Sequence, residues 1–344
     1  MSAHPLPGQV KAVSIGGGTG QPNAIRALHA AGCFVTAIVA MADDGGSTGI
    51  IRQEMGMVPP GDIRKCLVAM AAEPTGPLAR AFEHRFSFAD NHSLGNLMLA
   101  SLAAETGSFA EAVRLCGEML GCYGRVCPST LENVVLCGRT RDGMEFRGEA
   151  TLGSGPCALS QVWLSPRTPQ ATDSAVRAIL EADIVVLGPG SLFTSVIPNI
   201  LVPGIRDALR ATPAPKVYVC SMADMQGETW GLAAEEYVEA LLAHGMEGCL
   251  DVVLLHRPSQ TDSSLATRRF HAITQGVPER EARAGGEFFR PVPLTDDSLR
   301  RLQARVPLVV TRDFSDPLHP TWHDLGKLEC ALRGVIETCR SRQR

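Results

Sequence analysis

The sequence predicts an α/β fold in which a doubly wound, mostly parallel sheet is covered by helices on both faces. Short apolar runs rich in valine and isoleucine alternate along the chain with longer segments of helical periodicity. These runs show little polar alternation, which is typical of parallel strands buried on both faces. Two of them end in glycine-rich turns that lead into helices, and such strand–turn–helix units favour phosphate binding.

Composition narrows the function classes. The chain has 344 residues, of which 32 are basic and 36 acidic, with a formal charge of −4. This balance does not give the basic footprint of a nucleic-acid-binding protein. No run reaches the roughly 18 apolar residues of a membrane span, and the N-terminus lacks a signal-like apolar core. The 11 cysteines include no C-x-x-C pair, so we expect reduced thiols in a cytoplasmic protein.

The alternation of elements predicts a single α/β domain over residues 1–344. Strands are predicted at 11–15, 33–42, 133–137, 145–150, 184–187, 216–220, 252–256 and 306–310. Helices are predicted at 22–31, 60–72, 94–104, 109–120, 171–181, 203–211, 233–244 and 325–340. The turn signal Arg141-Asp142-Gly143 predicts an antiparallel hairpin beside the main sheet. The polar stretch 257–297 departs from the alternation and is a candidate variable insertion.

The first chemical signal is the turn at residues 16–20, Gly-Gly-Gly-Thr-Gly, which follows the first predicted strand. Successive glycines allow positive φ angles, so their N–H groups can converge on phosphate oxygens at a helix N-terminus. Gln21 breaks the G-x-G-x-x-G dinucleotide pattern, and no G-K-[ST] follows as in a P-loop. The candidate ligand-binding residues of this turn are Gly17, Gly18, Thr19 and Gly20.

A pair of acidic residues, Asp43 and Asp44, ends the second predicted strand and precedes Gly45. Adjacent carboxylates point in different directions, so one can meet a ligand while the other anchors the loop. In a nicotinamide-binding fold such an acid holds a ribose, and in a phosphotransfer site it holds Mg²⁺. Asp43 and Asp44 are therefore candidate catalytic and metal-binding residues, and together with Gly45 they are candidate nucleotide-binding residues.

A second glycine turn, Gly188-Pro189-Gly190-Ser191, follows the predicted strand at 184–187. It repeats the pattern of the first turn, with hydroxyl residues opening the next helix. Two such turns at two strand ends favour a ligand with two phosphates. Gly188, Gly190 and Ser191 are the candidate binding residues here.

Two helix starts supply further polar candidates. Asp62 and Arg64 lie in the first turn of a helix, and Arg64 is a cation that can neutralise a phosphate. His92 and Asn96 lie at the start of an apolar helix, where both side chains can contact a ligand. Each of these signals, taken alone, also fits ordinary helix capping.

In order and spacing these motifs resemble those of the 2-phospho-L-lactate transferase superfamily, and specifically its gluconeogenesis factor branch, the YvcK-like proteins. The segments that carry the resemblance are 16–21, 42–49, 59–67, 92–97, 128–136 and 188–201. His323-Asp324 with Lys327 resembles the C-terminal element of the family. The chain departs from the pattern at Met225-Gln226-Gly227, which lacks a proline before the glycine.

The resemblance implies a Rossmann-like α/β fold with a smaller subdomain, in a protein that is often a homodimer. For the gluconeogenesis factor branch it implies a UDP-sugar ligand such as UDP-N-acetylglucosamine. It also implies a role in growth on gluconeogenic carbon and in cell shape. For the transferase branch it implies Mg²⁺-dependent transfer of a phospholactyl group from a guanosine diphosphate carrier to a deazaflavin hydroxyl.

Three hypotheses are open at this point. The first is a nucleotide-sugar-binding protein that acts as a gluconeogenesis and cell-shape factor. The second is a Mg²⁺-dependent phospholactyl-type transferase, in which Asp43 and Asp44 would hold the metal. The third is an NAD-binding oxidoreductase, which the missing third fingerprint glycine disfavours. All three share a small-molecule ligand with a diphosphate, whether a UDP-sugar, GDP or NAD, and none involves nucleic acid.

Overall fold

The computed structural model describes residues 4–152, 157–225, 227–257, 290–317, 319 and 321–342. The strands are β1 Lys11–Gly16, β2 Phe34–Val39, β3 Arg85–Phe86, β4 His92–Ser93, β5 Arg125–Pro128, β6 Val135–Thr140, β7 Glu145–Arg147, β8 Leu159–Ser165, β9 Ile184–Leu187, β10 Lys216–Val219, β11 Ala223–Asp224, β12 Val252–His256, β13 Arg290–Pro291 and β14 Leu308–Arg312. Most of the proposed insertion 257–297 lies outside the described residues, so that expectation stays a prediction.

The α-helices are α1 Gln21–Ala30, α2 Gly46–Met55, α3 Gly61–Ala69, α4 Pro77–Glu83, α5 Leu94–Thr106, α6 Phe109–Met119, α7 Glu149–Leu152, α8 Asp173–Leu180, α9 Ile197–Ile200, α10 Pro203–Ala211, α11 Ala234–Leu241, α12 Asp296–Arg305 and α13 Leu325–Arg342. A 3₁₀ turn spans Ser87–Ala89, and π-helical segments span Leu192–Val196 and Leu242–Met246.

The main sheet has seven strands, all parallel, in the order β14-β12-β10-β9-β1-β2-β5. From β1 the chain winds outward through β2 to β5, and then returns to β9 and winds the other way to β14. The direction of winding therefore reverses between β1 and β9. Ligands of open α/β sheets bind outside the carboxyl ends of the strands at such a reversal.

Two hydrophobic cores lie on the two faces of this sheet. Successive side chains of a strand point to opposite faces, so Val13 and Ile38 enter one core while Ala12 and Val35 enter the other. Because both faces are covered, β2 and β9 are buried at every position. The predicted doubly wound α/β class is confirmed.

A small antiparallel sheet, in the order β7-β6-β8, packs beside the main sheet. The predicted hairpin around Arg141-Asp142-Gly143 is confirmed, since Arg139 pairs with Glu145 across it. The predicted strand 145–150 is too long, because the chain turns at Gly148 with a φ of +102° and then forms α7. The sequence patterns also missed β8, which pairs with the other edge of β6.

Helix α2 is a second correction, because no helix was predicted between residues 31 and 60. Glycine, serine and threonine are weak helix formers, yet α2 begins at Gly46 and buries Thr48 and Arg52. A Cβ at Gly49 would lie 2.2 Å from the carbonyl oxygen of Asp44. Only glycine lets the helix pack this closely on the acidic loop, so tertiary packing overrides propensity here.

The described part of the chain contains no helix that is both long enough and apolar enough to cross a bilayer. Cys33, Cys66, Cys116, Cys127, Cys137 and Cys220 are buried free thiols. Burial raises the pKa of the Cys66 thiol well above its usual range and that of Cys220 to about 12. These buried thiols are therefore not activated as nucleophiles.

Candidate functional site

The two glycine turns lie side by side at the carboxyl ends of β1 and β9. Gly18 and Gly188 adopt φ angles of +63° and +77°, a conformation that favours glycine. A Cβ on Gly20 would lie 2.5 Å from the carbonyl oxygen of Pro189, so the turns touch backbone to backbone. The side chain of Thr19 is exposed at the tip of the first turn. The sequence-predicted loops therefore form one continuous edge at the point where the sheet reverses.

Gln21 explains why the first turn departs from the dinucleotide fingerprint. Its side-chain amide is fully buried and donates to the carbonyl oxygens of Ser14 and Ile38, each at 3.0 Å. These oxygens belong to β1 and β2, so the side chain links the two strands directly beneath the turn. The residue is structural, and sequence patterns alone only showed that it was not glycine.

Carboxylates from distant parts of the chain accept hydrogen bonds from main-chain N–H groups in or next to both turns. Asp62, at the start of α3, accepts a hydrogen bond from the Gly18 N–H at 2.6 Å. It also forms an ion pair with Lys65 at 2.9 Å. Glu228 accepts hydrogen bonds from the N–H groups of Phe193 at 2.8 Å and Thr194 at 3.3 Å. The hydroxyl of Ser191 also donates to the same oxygen of Glu228.

Asp43 and Asp44, which follow β2, make different contacts. The Asp43 carboxylate accepts the Gly45 N–H at 3.0 Å, within its own loop. The Asp44 carboxylate accepts the Ala150 N–H at 2.9 Å and so anchors the loop to α7. The expectation that one acid anchors the loop is met by Asp44, which leaves Asp43 as the acid nearer to the glycine turns.

Arg52 of α2 holds this loop from behind, and the sequence patterns missed it. Its guanidinium is 6% exposed and donates to the carbonyl oxygen of Asp43 at 3.3 Å. It also donates to the Asn133 side chain at 2.7 Å and to the carbonyl oxygen of Val134. One buried arginine therefore fixes the acidic loop against the segment that leads into β6.

The start of α5 gathers the other predicted side chains. Ser93 caps this helix by accepting the Asn96 N–H at 3.4 Å, and the guanidinium of Arg64 donates to its hydroxyl. His92 and Asn96 are buried, with exposed fractions of 8% and 1%. Three buried atoms of this group have no hydrogen-bond partner among the described residues, namely Nε of Arg64, Nδ1 of His92 and Oδ1 of Asn96.

Gly95 makes room for this cluster. A Cβ there would lie 2.8 Å from Cγ of Arg64 and equally close to the ring of Phe82. The buried guanidinium reaches Ser93 only because the helix carries no side chain at this position. Arg64 and Asn96 therefore meet at Ser93, next to His92, and all three side chains are buried rather than open to solvent.

The carboxylates of the site share a strongly negative environment. Burial, followed by the charge of Asp62, raises the pKa of Asp43 to about 6. Burial, followed by the charges of Asp43 and Asp62, raises the pKa of Glu149 in α7 to about 8. Burial also raises the pKa of Glu228, against the opposing effect of its Ser191, Phe193 and Thr194 donors. The site therefore holds protons on some of its acids near neutral pH.

Asp62 is the exception among these acids. Burial works against its ionisation, but the charge of Lys65 and the Gly18 N–H outweigh burial and lower its pKa. The same pairing with Asp62 raises the pKa of Lys65. Asp62 and Lys65 are therefore a charged pair at the first turn, with exposed side-chain fractions of 12% and 30%.

The described residues contain no group of three or more His, Cys, Asp or Glu side chains that could hold a metal ion. The assignment of Mg²⁺ to Asp43 and Asp44 stays a prediction. Two functional acids were not singled out from the sequence. Glu149 lay inside a predicted strand, and Glu228 lay in a loop with only the short signal Gly227-Glu228-Thr229 to mark it.

Comparisons with known proteins identify the family to which this chain is similar. A family model described as 2-phospho-L-lactate transferase CofD matches residues 12–284. A protein named gluconeogenesis factor from Halalkalibacterium halodurans is 39% identical over 255 residues, which is 73% of this chain and 79% of that protein. A relative from Nostoc sp. is 41% identical over 259 residues, which is 74% of this chain but only 57% of that protein.

A solved structure supports the same assignment. The crystal structure of a UPF0052 family member from Bacillus halodurans matches with a TM-score of 0.81 and 33% identity, covering 94% of this chain and 98% of that one. The Rossmann-like fold expected from the motif series is thereby confirmed. With a family model over most of its length and relatives near 40% identity, the chain belongs to the 2-phospho-L-lactate transferase CofD family, together with proteins named gluconeogenesis factor.

Proposed function

We propose that this protein binds a nucleotide diphosphate, a UDP-sugar such as UDP-N-acetylglucosamine, and acts as a gluconeogenesis and cell-shape factor. The single observation that carries the proposal is the contact between the two glycine turns at the reversal of the sheet. A crevice flanked by two N–H-rich turns suits a ligand with two adjacent phosphates. The names of the relatives support the gluconeogenesis part of the proposal, and the cell-shape part follows from the family resemblance alone.

The residues of the site take different roles in this proposal. The phosphates would lie against the main chain of the two turns, at Gly17, Gly18, Thr19 and Gly20 on one side and at Gly188, Gly190 and Ser191 on the other. Asp43, with Gly45 and the anchoring Asp44 behind it, would meet the ribose. Arg64, His92 and Asn96 would close the site through α3 and α5.

Calorimetric titration with UDP-N-acetylglucosamine, UDP-glucose, GDP and NAD tests this proposal. We expect binding of at least one UDP-sugar, and weaker binding in Gly17→Ala, whose Cβ would lie 2.9 Å from the Asp62 carboxylate. Gly334→Ala is the matched control, because its Cβ would meet nothing within 4 Å. Absence of UDP-sugar binding at millimolar concentration would overturn the proposal. Binding of NAD alone would favour the nicotinamide hypothesis.

A Mg²⁺-dependent transferase is the second candidate. The family name, 2-phospho-L-lactate transferase, favours it, as do two site acids whose pKa values are raised to about 6 and about 8. Groups that exchange protons near neutral pH suit general acid–base work. This candidate predicts Mg²⁺-dependent turnover of a guanosine diphosphate carrier with a deazaflavin acceptor, lost in Asp43→Asn. UDP-sugar binding without turnover would count against it.

The cellular form of the protein is part of the same proposal. We expect a cytoplasmic homodimer, as the family resemblance implies. Light scattering during size-exclusion chromatography would give the mass in solution, to be compared with the 36.6 kDa of the chain. A mass of one chain at all concentrations would contradict the dimer.

A further inference from the structure

One main-chain N–H of the first turn, and two N–H groups directly after the second turn, already have carboxylate partners. The Asp62 carboxylate takes the Gly18 N–H at 2.6 Å, and the Glu228 carboxylate takes the Phe193 and Thr194 N–H groups at 2.8 and 3.3 Å. Clustered main-chain N–H groups at the start of a helix attract anions. The protein therefore supplies one negative group of its own to each turn.

The Asp62 carboxylate is in direct contact with the first glycine turn. Its Oδ2 would be 2.9 Å from a Cβ on Gly17, so it occupies the space directly over this residue. Lys65 neutralises it from the other side, at 2.9 Å. A phosphate bound to the Gly18 N–H would need the position of the Asp62 carboxylate. It would then lie next to the Lys65 ammonium.

Glu228 accepts main-chain N–H groups next to the second turn, as Asp62 does at the first. Its side chain is 3% exposed and reaches the start of the segment Leu192–Val196 from a different part of the chain. Besides the two N–H groups, it accepts the hydroxyl of Ser191, which lies 2.5 Å from the hydroxyl of Thr194. The Ser191 hydroxyl and the Phe193 and Thr194 N–H groups therefore converge on one carboxylate oxygen.

Ordinary capping in this protein looks different. The N-termini of α5, α6, α8 and α12 are capped by neutral hydroxyls of their own N-cap residues, Ser93, Ser108, Thr172 and Thr295. At the two glycine turns a carboxylate distant in sequence takes part as well, separated by 44 residues for Asp62 and by 35 for the Phe193 contact of Glu228. At the second turn it adds to the N-cap hydroxyl of Ser191, which accepts the Thr194 N–H at 3.1 Å. A distant carboxylate therefore takes part at both turns of the crevice.

We propose that Asp62 and Glu228 are placeholders, which the two phosphates of the ligand displace when they take over these N–H groups. This inference rests on the proposed function and adds its regulation. In the free protein the carboxylates preserve the shape of the turns. They also compete with every incoming anion, so affinity is set by the exchange of one negative group for another.

The isosteric variants Asp62→Asn and Glu228→Gln test the exchange. Each amide keeps an acceptor oxygen of the same size but carries no charge, so it holds the turn without repelling a phosphate. In Asp62→Asn the Lys65 ammonium is also left free for the ligand. We expect the dissociation constant for UDP-N-acetylglucosamine to fall about tenfold in each variant, equivalent to about 1.4 kcal/mol.

Asp183→Asn is the matched control. Its carboxylate also accepts a main-chain N–H, that of Lys11 at 2.7 Å, but at the opposite end of β1. Its dissociation constant should equal that of the wild type. Unchanged or weaker binding in folded Asp62→Asn and Glu228→Gln would overturn the exchange, because it would mean that the carboxylates only support the turns.

Two further measurements keep the result decisive. If the variants do not fold, hydrogen–deuterium exchange of the wild type should become faster in residues 227–232 on ligand binding, and slower or unchanged exchange there would overturn the proposal. Inorganic diphosphate serves as a second probe. Tighter binding of diphosphate to the variants, without any binding of UDP-sugar, would retain the exchange and reject the nucleotide ligand. If neither probe binds wild type or variants, both proposals fail.

Discussion

The side-chain amide of Asn199 donates a hydrogen bond to the carbonyl oxygen of Gly16 at 2.9 Å, across the crevice between β1 and β9. The same nitrogen donates to the carbonyl oxygen of Ser195 at 2.8 Å, and the residue is fully buried. One side chain therefore joins the end of β1 to the segment that follows the second glycine turn. The two turns are held as one unit before any ligand arrives.

Replacing Asn199 with alanine should destabilise this unit. Two buried carbonyl oxygens would each lose one donor, although Gly16 keeps the Ala40 N–H, so we expect a loss of about 1–2 kcal/mol in the free energy of unfolding. Urea denaturation of wild type and Asn199→Ala measures the difference. Gln161→Ala, on an exposed position of β8, is the control and should change the free energy by less than about 0.5 kcal/mol. Equal losses in the two variants would contradict this role of Asn199.

Adding a methyl group at Gly95 should disturb the buried cluster at the start of α5. The new Cβ would lie 2.8 Å from Arg64 and Phe82, so the side chains must move, at a cost of about 1–3 kcal/mol. We expect lower stability and weaker ligand binding in Gly95→Ala, measured by guanidinium denaturation and calorimetry. Gly334→Ala lies in open space on α13 and should be neutral or up to about 1 kcal/mol stabilising.

Glu149 should make stability fall as pH rises. Its pKa is raised to about 8 in the folded protein from an ordinary value of 4.5, so the folded state binds the extra proton. This stabilisation is complete below pH 4.5 and is lost as pH rises through 8, by about 1.4 kcal/mol per pH unit within the window.

The comparison of wild type with Glu149→Gln isolates this effect, because the amide does not titrate. The melting temperature of the wild type, relative to that of Glu149→Gln, should decline steadily between pH 5 and pH 8 and level off by pH 9. Glu145→Gln removes a carboxylate that is exposed on β7, and its difference from wild type should stay flat over the same range. A flat difference for Glu149→Gln would show that the acid is ionised throughout.

His323 should act in the opposite direction, at lower pH. Burial lowers its pKa to about 4 from 6.5, although the carbonyl oxygen of Cys220 lies 3.1 Å from its Nε2. Because the unfolded state binds this proton first, stability is intact above pH 6.5 and falls as pH drops towards 4, by up to roughly 3 kcal/mol. Denaturation at pH 7 and pH 4.5 measures this loss, which His323→Asn should lack. His319→Asn is the exposed control and should behave as the wild type.

The sequence predicted the parts of the site that follow from chain direction. Strand ends and the helices after them share one edge of a parallel sheet, so the predicted turns at 16–20 and 188–191 lie at the same edge, where they touch. The loop of Asp43 and Asp44 follows β2 and lies at this edge for the same reason. The hairpin around Arg141-Asp142-Gly143 was also predictable, because its turn signal is local.

Contacts that depend on distant segments were not predictable. Asp62 appeared to be a capping acid of α3, and nothing in its neighbours showed that its carboxylate reaches Gly18. Glu228 and Glu149 carry no periodic signal, and their importance arises only from what the fold packs around them. The helix at 46–55 was missed because its glycines are poor helix formers, whereas the close approach to Asp44 requires them.

The buried amide of Gln21 also limits which residues the first glycine turn can accept at position 21. A glycine at this position, as in a dinucleotide fingerprint, would leave the carbonyl oxygens of Ser14 and Ile38 without the donors that now join β1 to β2. Grafting the fingerprint onto this chain would therefore weaken the centre of the sheet while it reshaped the turn. The strand link and the shape of the first turn therefore depend on the same residue, and a substitution at Gln21 changes both at once.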